Sequence, residues 1–424
     1  MIPFHLQHRE SAGTRHSDRS PFGLEEQLLL YFARVSMNPE MVERVKDMLR
    51  GNIDWGVLIS AAELHGLRPL LCRHLNSLCP ELVPKDVLAG LYKHFMMNAA
   101  RNLGLTAELL RILALFESHG IAAIPFKGPV AAISIYGDLA LREFDDLDIL
   151  VQQESLSRAE QIISSQGYRP EIRVPRAQRQ LHLRTDCEKA YIREDATCRV
   201  ELHWLIAAHC FPFPIDIEKV WKRHRYIQLG DARVRSFSPE DTLLILCAHG
   251  AKHLWDRLEL ICSVAEFIRV QLDIEWQQLL TRARETRVRH ILSLGLLLAH
   301  EILGAELPEK ILDTVRRDSA ARKLAMRVRE KLFRGDPNSE RELEQYVFYR
   351  RLADRWRDGM LVLPKAVFTP SAPDWDLVEL PPLLAPLYYP LRVFRLLKKY
   401  ALDPAIHDSF PTESFAGTDK GLEH

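Results

Sequence analysis

The sequence predicts an α+β fold, a small mixed sheet set between two helical regions. Three observations carry this reading. From Leu24 to His119, apolar residues recur at three-and-four spacing. Between Ile121 and Ile206 that period gives way to short apolar or alternating segments. The helical period returns at Ser238.

The expected divisions are a disordered N-terminus at 1–22, a helical region at 23–119, an α+β core at 120–235, a second helical region at 236–402 and a disordered tail at 403–424. Both ends are polar and lack the apolar content a packed core needs. A chain of 424 residues calls for two or three domains, or one core with large additions.

In the first helical region EEQLLLYFARV, PEMVERVKDMLRG, DWGVLISAAELHG and AELLRILALFESHG each carry an apolar stripe. Gly51, Gly66 and Gly120 stand where left-handed helix caps are expected. The segment 121–126 (IAAIPF) reads as a buried strand. Lys127, Gly128 and Pro129 follow it, and Pro129 suits the first turn of a helix ending at Gly137. The segment 144–151 (FDDLDILV) alternates as a strand, Glu154 to Gln166 is helical, and 187–194 and 198–206 read as neighbouring strands joined by a polar turn. Ser238, Pro239 and Asp241 supply an N-cap, a first-turn proline and a carboxylate for a helix expected to run to about Val270. Further helices are expected to about 360. The proline-rich stretch PPLLAPLYYPLRVFRLLKKY is read as a packed, partly extended wrap rather than an interfacial membrane helix.

Composition excludes several classes. Lys plus Arg equals Asp plus Glu, 57 each, so no global charge favours a nucleic-acid or membrane partner. No extended nucleic-acid footprint is expected. The seven cysteines are odd in number, irregularly spaced and free of C-x-x-C, which argues against a disulfide framework or zinc ribbon. No apolar run is long enough for a membrane span, and the N-terminus lacks a secretory h-region. The expected location is cytoplasmic.

The chemistry concentrates on three acids. Asp146 and Asp148 are two apart on a strand, so both side chains point to one face. Two adjacent carboxylates repel, and a divalent cation such as Mg2+ or Mn2+ would relieve that repulsion. Glu201 lies on the later strand opposite the apolar face of Val200, Leu202 and Trp204. If the two strands are neighbours, three carboxylates converge as in a two-metal phosphoryl-transfer site. By phase Asp145 falls on the other face, capping the strand or pairing with Arg142.

Lys127 and Gly128 open a helix, where free N–H groups and the positive dipole end favour an anion. Arg142 either reaches the same anion or pairs with Glu143 or Asp145. His249, His253 and Arg257 recur every four residues, with Lys252 beside them, as a cationic wall or as a polar cap on a domain junction. Gly250 follows His249 where a zinc protease needs Glu. His203 shares the face of Glu201 and is assigned an orienting role.

Together FKGPVAAISIYGDLALREFDDLDILV, VELHW and AHGAKHLWDRL resemble the uncharacterised nucleotidyltransferase family of the polymerase-β-like superfamily. The resemblance spans roughly Trp55 to Tyr400. It implies a nucleotidyltransferase core in which Asp146, Asp148 and Glu201 hold Mg2+ or Mn2+, while Glu201 is placed to take the acceptor proton. It places Lys127 and Gly128 where the superfamily carries a Gly-Ser phosphate loop. The sequence departs from the pattern in lacking that Gly-Ser pair and in carrying Ser263 where an aspartate is expected. The implied reaction moves a nucleoside monophosphate from an NTP, with ATP the expected donor, to a hydroxyl of an unidentified acceptor (a small molecule, sugar, protein or RNA end). Two alternatives remain open: a catalytically degenerate nucleotide-binding or assembly module, and a metal-dependent phosphohydrolase.

Overall fold

A computed structural model describes residues 22–334, 341–378 and 380–401. The expected disordered ends at 1–22 and 403–424 lie almost entirely outside the described residues.

Five strands form one mixed sheet in the order β1-β2-β5-β4-β3. They are β1 (Ala123–Phe126), β2 (Asp146–Val151), β3 (Tyr168–Pro170), β4 (Glu188–Arg193) and β5 (Arg199–His203). β2 and β5 run parallel, and every other pairing is antiparallel. A separate hairpin, β6 (Arg225–Leu229) and β7 (Ala232–Ser236), was not foreseen from the sequence, nor was β3.

The alternation of β2 divides two cores. Leu147, Ile149 and Val151 join Val200 and Leu202 against Leu109, Ile112 and Phe116 of the long Lys85–Ser118 helix. Leu150, on the face of Asp146 and Asp148, joins Phe126 and the helices after residue 236. One face is therefore sealed by apolar packing, and the other carries the acids beside the C-terminal helices. Among the described residues no helix is long and apolar enough to cross a membrane.

The helical regions follow the expected period, with corrections. Gly66 and Gly120 adopt positive φ as expected, whereas Gly51 does not. The helix expected from Ser238 to Val270 is two helices, Pro239–Lys252 and Leu258–Val270. Between them Leu254 and Trp255 both take φ of 56°, and the Trp255 N–H donates to the Gly250 carbonyl. Trp255 is thereby folded back onto Gly250 and fully buried. The C-terminal proline-rich stretch forms a 3-10 turn at Pro382–Leu387 and a helix at Tyr388–Ala401, so it is more helical than the wrap that was expected.

Asp318 ties two helices of the C-terminal layer together. It caps the Ser319–Lys331 helix by accepting the Ala321 N–H at 3.1 Å, and it accepts a hydrogen bond from His290 Nδ1 at 2.7 Å. That contact raises the His290 pKa and burial opposes it. A raised histidine contributes stability that is full below its unfolded pKa near 6.5 and fades as pH climbs through the folded value. Asp318→Ala should cost about 1–2 kcal/mol from the lost cap. Chemical denaturation should give a larger loss at pH 6 than at pH 9, and equal losses would refute the His290 contribution.

Candidate functional site

The parallel register of β2 and β5 sets Asp148 opposite Glu201 and Asp146 opposite Arg199. The antiparallel register of β4 and β5 sets Glu188 opposite His203. Residues two apart share a face, so Asp146, Asp148, Glu188, Glu201 and His203 all open on one side of the sheet. The strand adjacency on which the three-acid reading depends is present.

Asp148 is the centre. It is 1% exposed. Its Oδ1 accepts hydrogen bonds from Lys127 Nζ at 2.8 Å and His203 Nε2 at 2.9 Å. Burial opposes its ionisation, but the Lys127 ammonium and His203 hold its carboxyl well below the usual range. Burial equally opposes charge on His203, yet Asp148, Cys187 and Glu201 around the ring raise its pKa well above the ordinary value. The second oxygen, Oδ2, is buried with no hydrogen-bond partner among the described residues. An orphaned carboxylate oxygen in a low-dielectric site is costly, and a cation satisfies it.

Around it lie Glu201, 7% exposed, with Oε1 2.7 Å from Arg199 Nη1 and Oε2 3.5 Å from His203 Nε2. Asp148, Glu201 and His203 each bring a ligand atom within 4.8 Å of one another. Asp146 stands outside this trio, about a third exposed, its Oδ2 3.8 Å from Arg199 Nη1. Burial, then the charges of Asp148 and Glu201, push the Asp146 carboxyl up to about 6. Crowded oxygens with one unsatisfied and one hard to ionise fit a hard divalent cation.

The β1 turn brings Lys127 to this cluster under strain. Lys127 takes φ 56°, ψ −148°, a region that only glycine visits freely. Gly128 follows at φ 36°, and a Cβ there would lie 3.2 Å from the Asp146 carbonyl oxygen. The loop thus presses against β2 and opens the Gly128–Tyr136 helix beside the acids. The Lys127 ammonium, expected from the sequence to meet phosphate, donates to Asp148.

A profile of uncharacterised nucleotidyltransferases matches residues 51–304, more than half of the chain. The chain belongs to that family. Among curated proteins no relative matches. The matched stretch contains every member of the acid cluster in this nucleotidyltransferase-family chain, while the resemblance read from the sequence beyond residue 304 lies outside the match.

Arg142 pairs with neither Glu143 nor Asp145. Glu143 pairs with Arg68 at 3.1 Å, and Asp145 with Arg101. Arg142 Nη1 is buried without a hydrogen-bond partner among the described residues, and the Arg142 charge bears on both Asp146 and Glu259. Ser263, standing where an aspartate was expected, hydrogen-bonds the Tyr136 hydroxyl at 2.9 Å inside the core.

The helix break corrects the histidine wall. His249 and Lys252 lie on the last turn of the Pro239–Lys252 helix and line a small cavity of ≈ 20 Å³ with Lys127, Glu188 and His203. His253 follows at the helix end, its ring 4.7 Å from that of His249. Arg257 leaves this face. It sits at the start of the next helix, exposed, 2.7 Å from Glu259. Burial, then Lys127, His253 and Lys252, push the His249 pKa well below its ordinary value, so its ring is neutral.

Two members of the site were missed in the sequence. Glu188 lies 3.4 Å from His203 Nδ1 and 3.8 Å from Lys252 Nζ, a link between β4 and the helical wall. Arg199 binds Glu201 from two residues before it on the same strand face. The hairpin joining β4 to β5 contained both signals, because pairing across its short turn fixes Glu188 against His203.

Proposed function

We propose that this chain transfers a nucleoside monophosphate from an NTP, ATP in first place, to a hydroxyl on an acceptor, releasing pyrophosphate. The observation that carries this reading is the direct opposition of Asp148 and Glu201 across parallel strands, with Asp146 on the same face.

Asp146, Asp148 and Glu201 would hold Mg2+ or Mn2+. When bound, such ions neutralise phosphate charge and activate a hydroxyl near neutral pH. The chain's own groups do the rest. Lys127 and His203 fix Asp148 from one side, leaving Oδ2 open. Glu201, held by Arg199, accepts the acceptor hydroxyl proton. Arg142 offers Nη1, unpartnered among the described residues, to a triphosphate oxygen. Lys252 and neutral His249 line the cavity next to Glu188 and provide a donor wall for the nucleotide or acceptor. Free cysteines throughout support a reducing, cytoplasmic location.

One observation favours a second reading, a silent nucleotide-binding module. Asp148 Oδ1 is already taken by two internal cations. The deciding experiment incubates the protein with Mg2+, a host lysate and NTP labelled at the α- or the γ-phosphate. Transfer predicts an acceptor labelled only from the α position. Nucleotide binding without turnover supports the silent module, and free nucleotide with no labelled acceptor supports phosphohydrolysis.

Arg142→Gln should weaken binding of a non-hydrolysable ATP analogue with Mg2+ by about tenfold, the value of one charge-assisted contact. Thermal stability should hold, because Arg142 Nη1 bonds nothing among the described residues. An unchanged dissociation constant in calorimetry would remove Arg142 from the site.

A further inference from the structure

We propose that a basic cavity on the opposite face of the sheet binds a phosphoryl group, apart from the nucleotide site. Lys189 follows Glu188 on β4, so it points away from the acids. There it helps to line a cavity of ≈ 60 Å³ with Glu160, Arg176, Arg179, His182 and Trp204. At ~10–15 Å³ for each water-sized group, the space admits about four to six such groups, enough for a tetrahedral oxyanion.

The charge is unbalanced. Glu160 is held by Arg179 at 2.7 Å and Lys189 at 3.1 Å. Arg176 makes no ion pair among the described residues and stands exposed at the rim. Three cations thus face one carboxylate, an excess that matches a dianion.

His182 is the independent sign of a ligand. It is 7% exposed, and neither ring nitrogen has a hydrogen-bond partner among the described residues. Its nearest acid, Asp186, stands 3.6 Å from Nδ1, beyond hydrogen-bonding reach. Trp204 and Trp375 grip the ring edge-on with centroids 5.2 and 5.6 Å away. Two further buried donors are also orphaned, Gln178 Nε2 one helical turn before His182 and Nε1 of Trp375. A buried orphan is costly, so the two ring nitrogens of His182, which lines the cavity, mark a place where a ligand completes the bonding.

The ring state selects the ligand. Burial, then Lys189, push the His182 pKa to about 4. A neutral imidazole has one N–H to donate and one nitrogen that accepts. Hydrogen phosphate, a dianion that keeps one proton, supplies both partners, and a phosphomonoester does so as its singly protonated monoanion. Sulfate, fully ionised, can only accept.

The test is calorimetry on the full chain without nucleotide or divalent metal, titrating inorganic phosphate, glycerol phosphate and sulfate. Binding of phosphate or the ester is expected, with sulfate weaker. The ligand that binds tighter identifies free phosphate or an ester as the source. Arg176→Ala, at an exposed position that folding does not need, should weaken binding about tenfold. Arg142→Gln, in the nucleotide site, should leave it intact. The proposal falls if nothing binds by about 10 mM, if sulfate binds equally well, or if Arg142→Gln abolishes binding that Arg176→Ala spares. Since Arg142→Gln reports on the nucleotide site alone, failure of either site is seen separately.

Discussion

Asp146→Asn should lower nucleotidyl transfer by at least about 10²–10³-fold, the scale on which loss of one preorganised charge-stabilising group is felt. Yet it should not destabilise the protein. The reason is that Asp146 is an unhappy carboxylate. Its pKa is pushed up to about 6 by burial and by Asp148 and Glu201. For an acid, a folded pKa above the unfolded value means that ionisation disfavours the fold. The penalty grows as pH rises from about 4 through 6 and is complete at pH 7. Asparagine removes it. Because a third of the side chain reaches solvent, the gain is discounted to the order of 1 kcal/mol. Differential scanning calorimetry should therefore give an equal or higher Tm at pH 7.5. Added Mg2+ or Mn2+ should raise the wild-type Tm and move the variant less. Retained activity in the variant would end the assignment of Asp146 as a metal ligand. A marked drop in its Tm would refute the crowding argument.

Asp148→Asn would serve less well. Its charge balances Lys127 and His203. Removing one partner of a buried pair costs about 3–5 kcal/mol. Lost activity there would mix chemistry with stability, as would Lys127→Ala.

The strands that carry the acids were legible because alternation is local. In 144–151 and 198–206 the apolar positions mark one face and so assign the acids to the other. Parallel pairing of β2 with β5 is not local. It depends on β3 and β4 lying on the far side of β5, and β3 is a three-residue strand with no detectable period. The β6–β7 hairpin carried a signal in Gly230 and Asp231 between alternating runs, but its exposed, charged face hid it. The Lys127 contact is equally non-local. Position at a helix start suggests an anion, while the bond its ammonium makes is to Asp148, 21 residues later.

The sharpest case is the helix break, and it makes an opposite prediction from the sequence pattern. Residues 258–270 continue an apolar stripe that fits one uninterrupted helix as well as two. In an uninterrupted helix Gly250→Ala would stabilise by about 1 kcal/mol, since alanine has the better helix propensity. In the observed fold a Cβ at 250 would lie 2.4 Å from the Trp255 ring, which also packs against Gly295. Neither helix can retreat cheaply, because Trp255 is fully buried and its N–H is fixed to the Gly250 carbonyl. Gly250→Ala should therefore destabilise by about 1–3 kcal/mol or more, and Trp255→Ala by about 3–5 kcal/mol through the cavity left behind. The double variant should recover part of the Gly250→Ala loss, since the clash vanishes with the ring. Urea denaturation of the three variants decides it. A stabilising Gly250→Ala would mean that the helix runs on and that Arg257 joins His249 and His253 on one face after all.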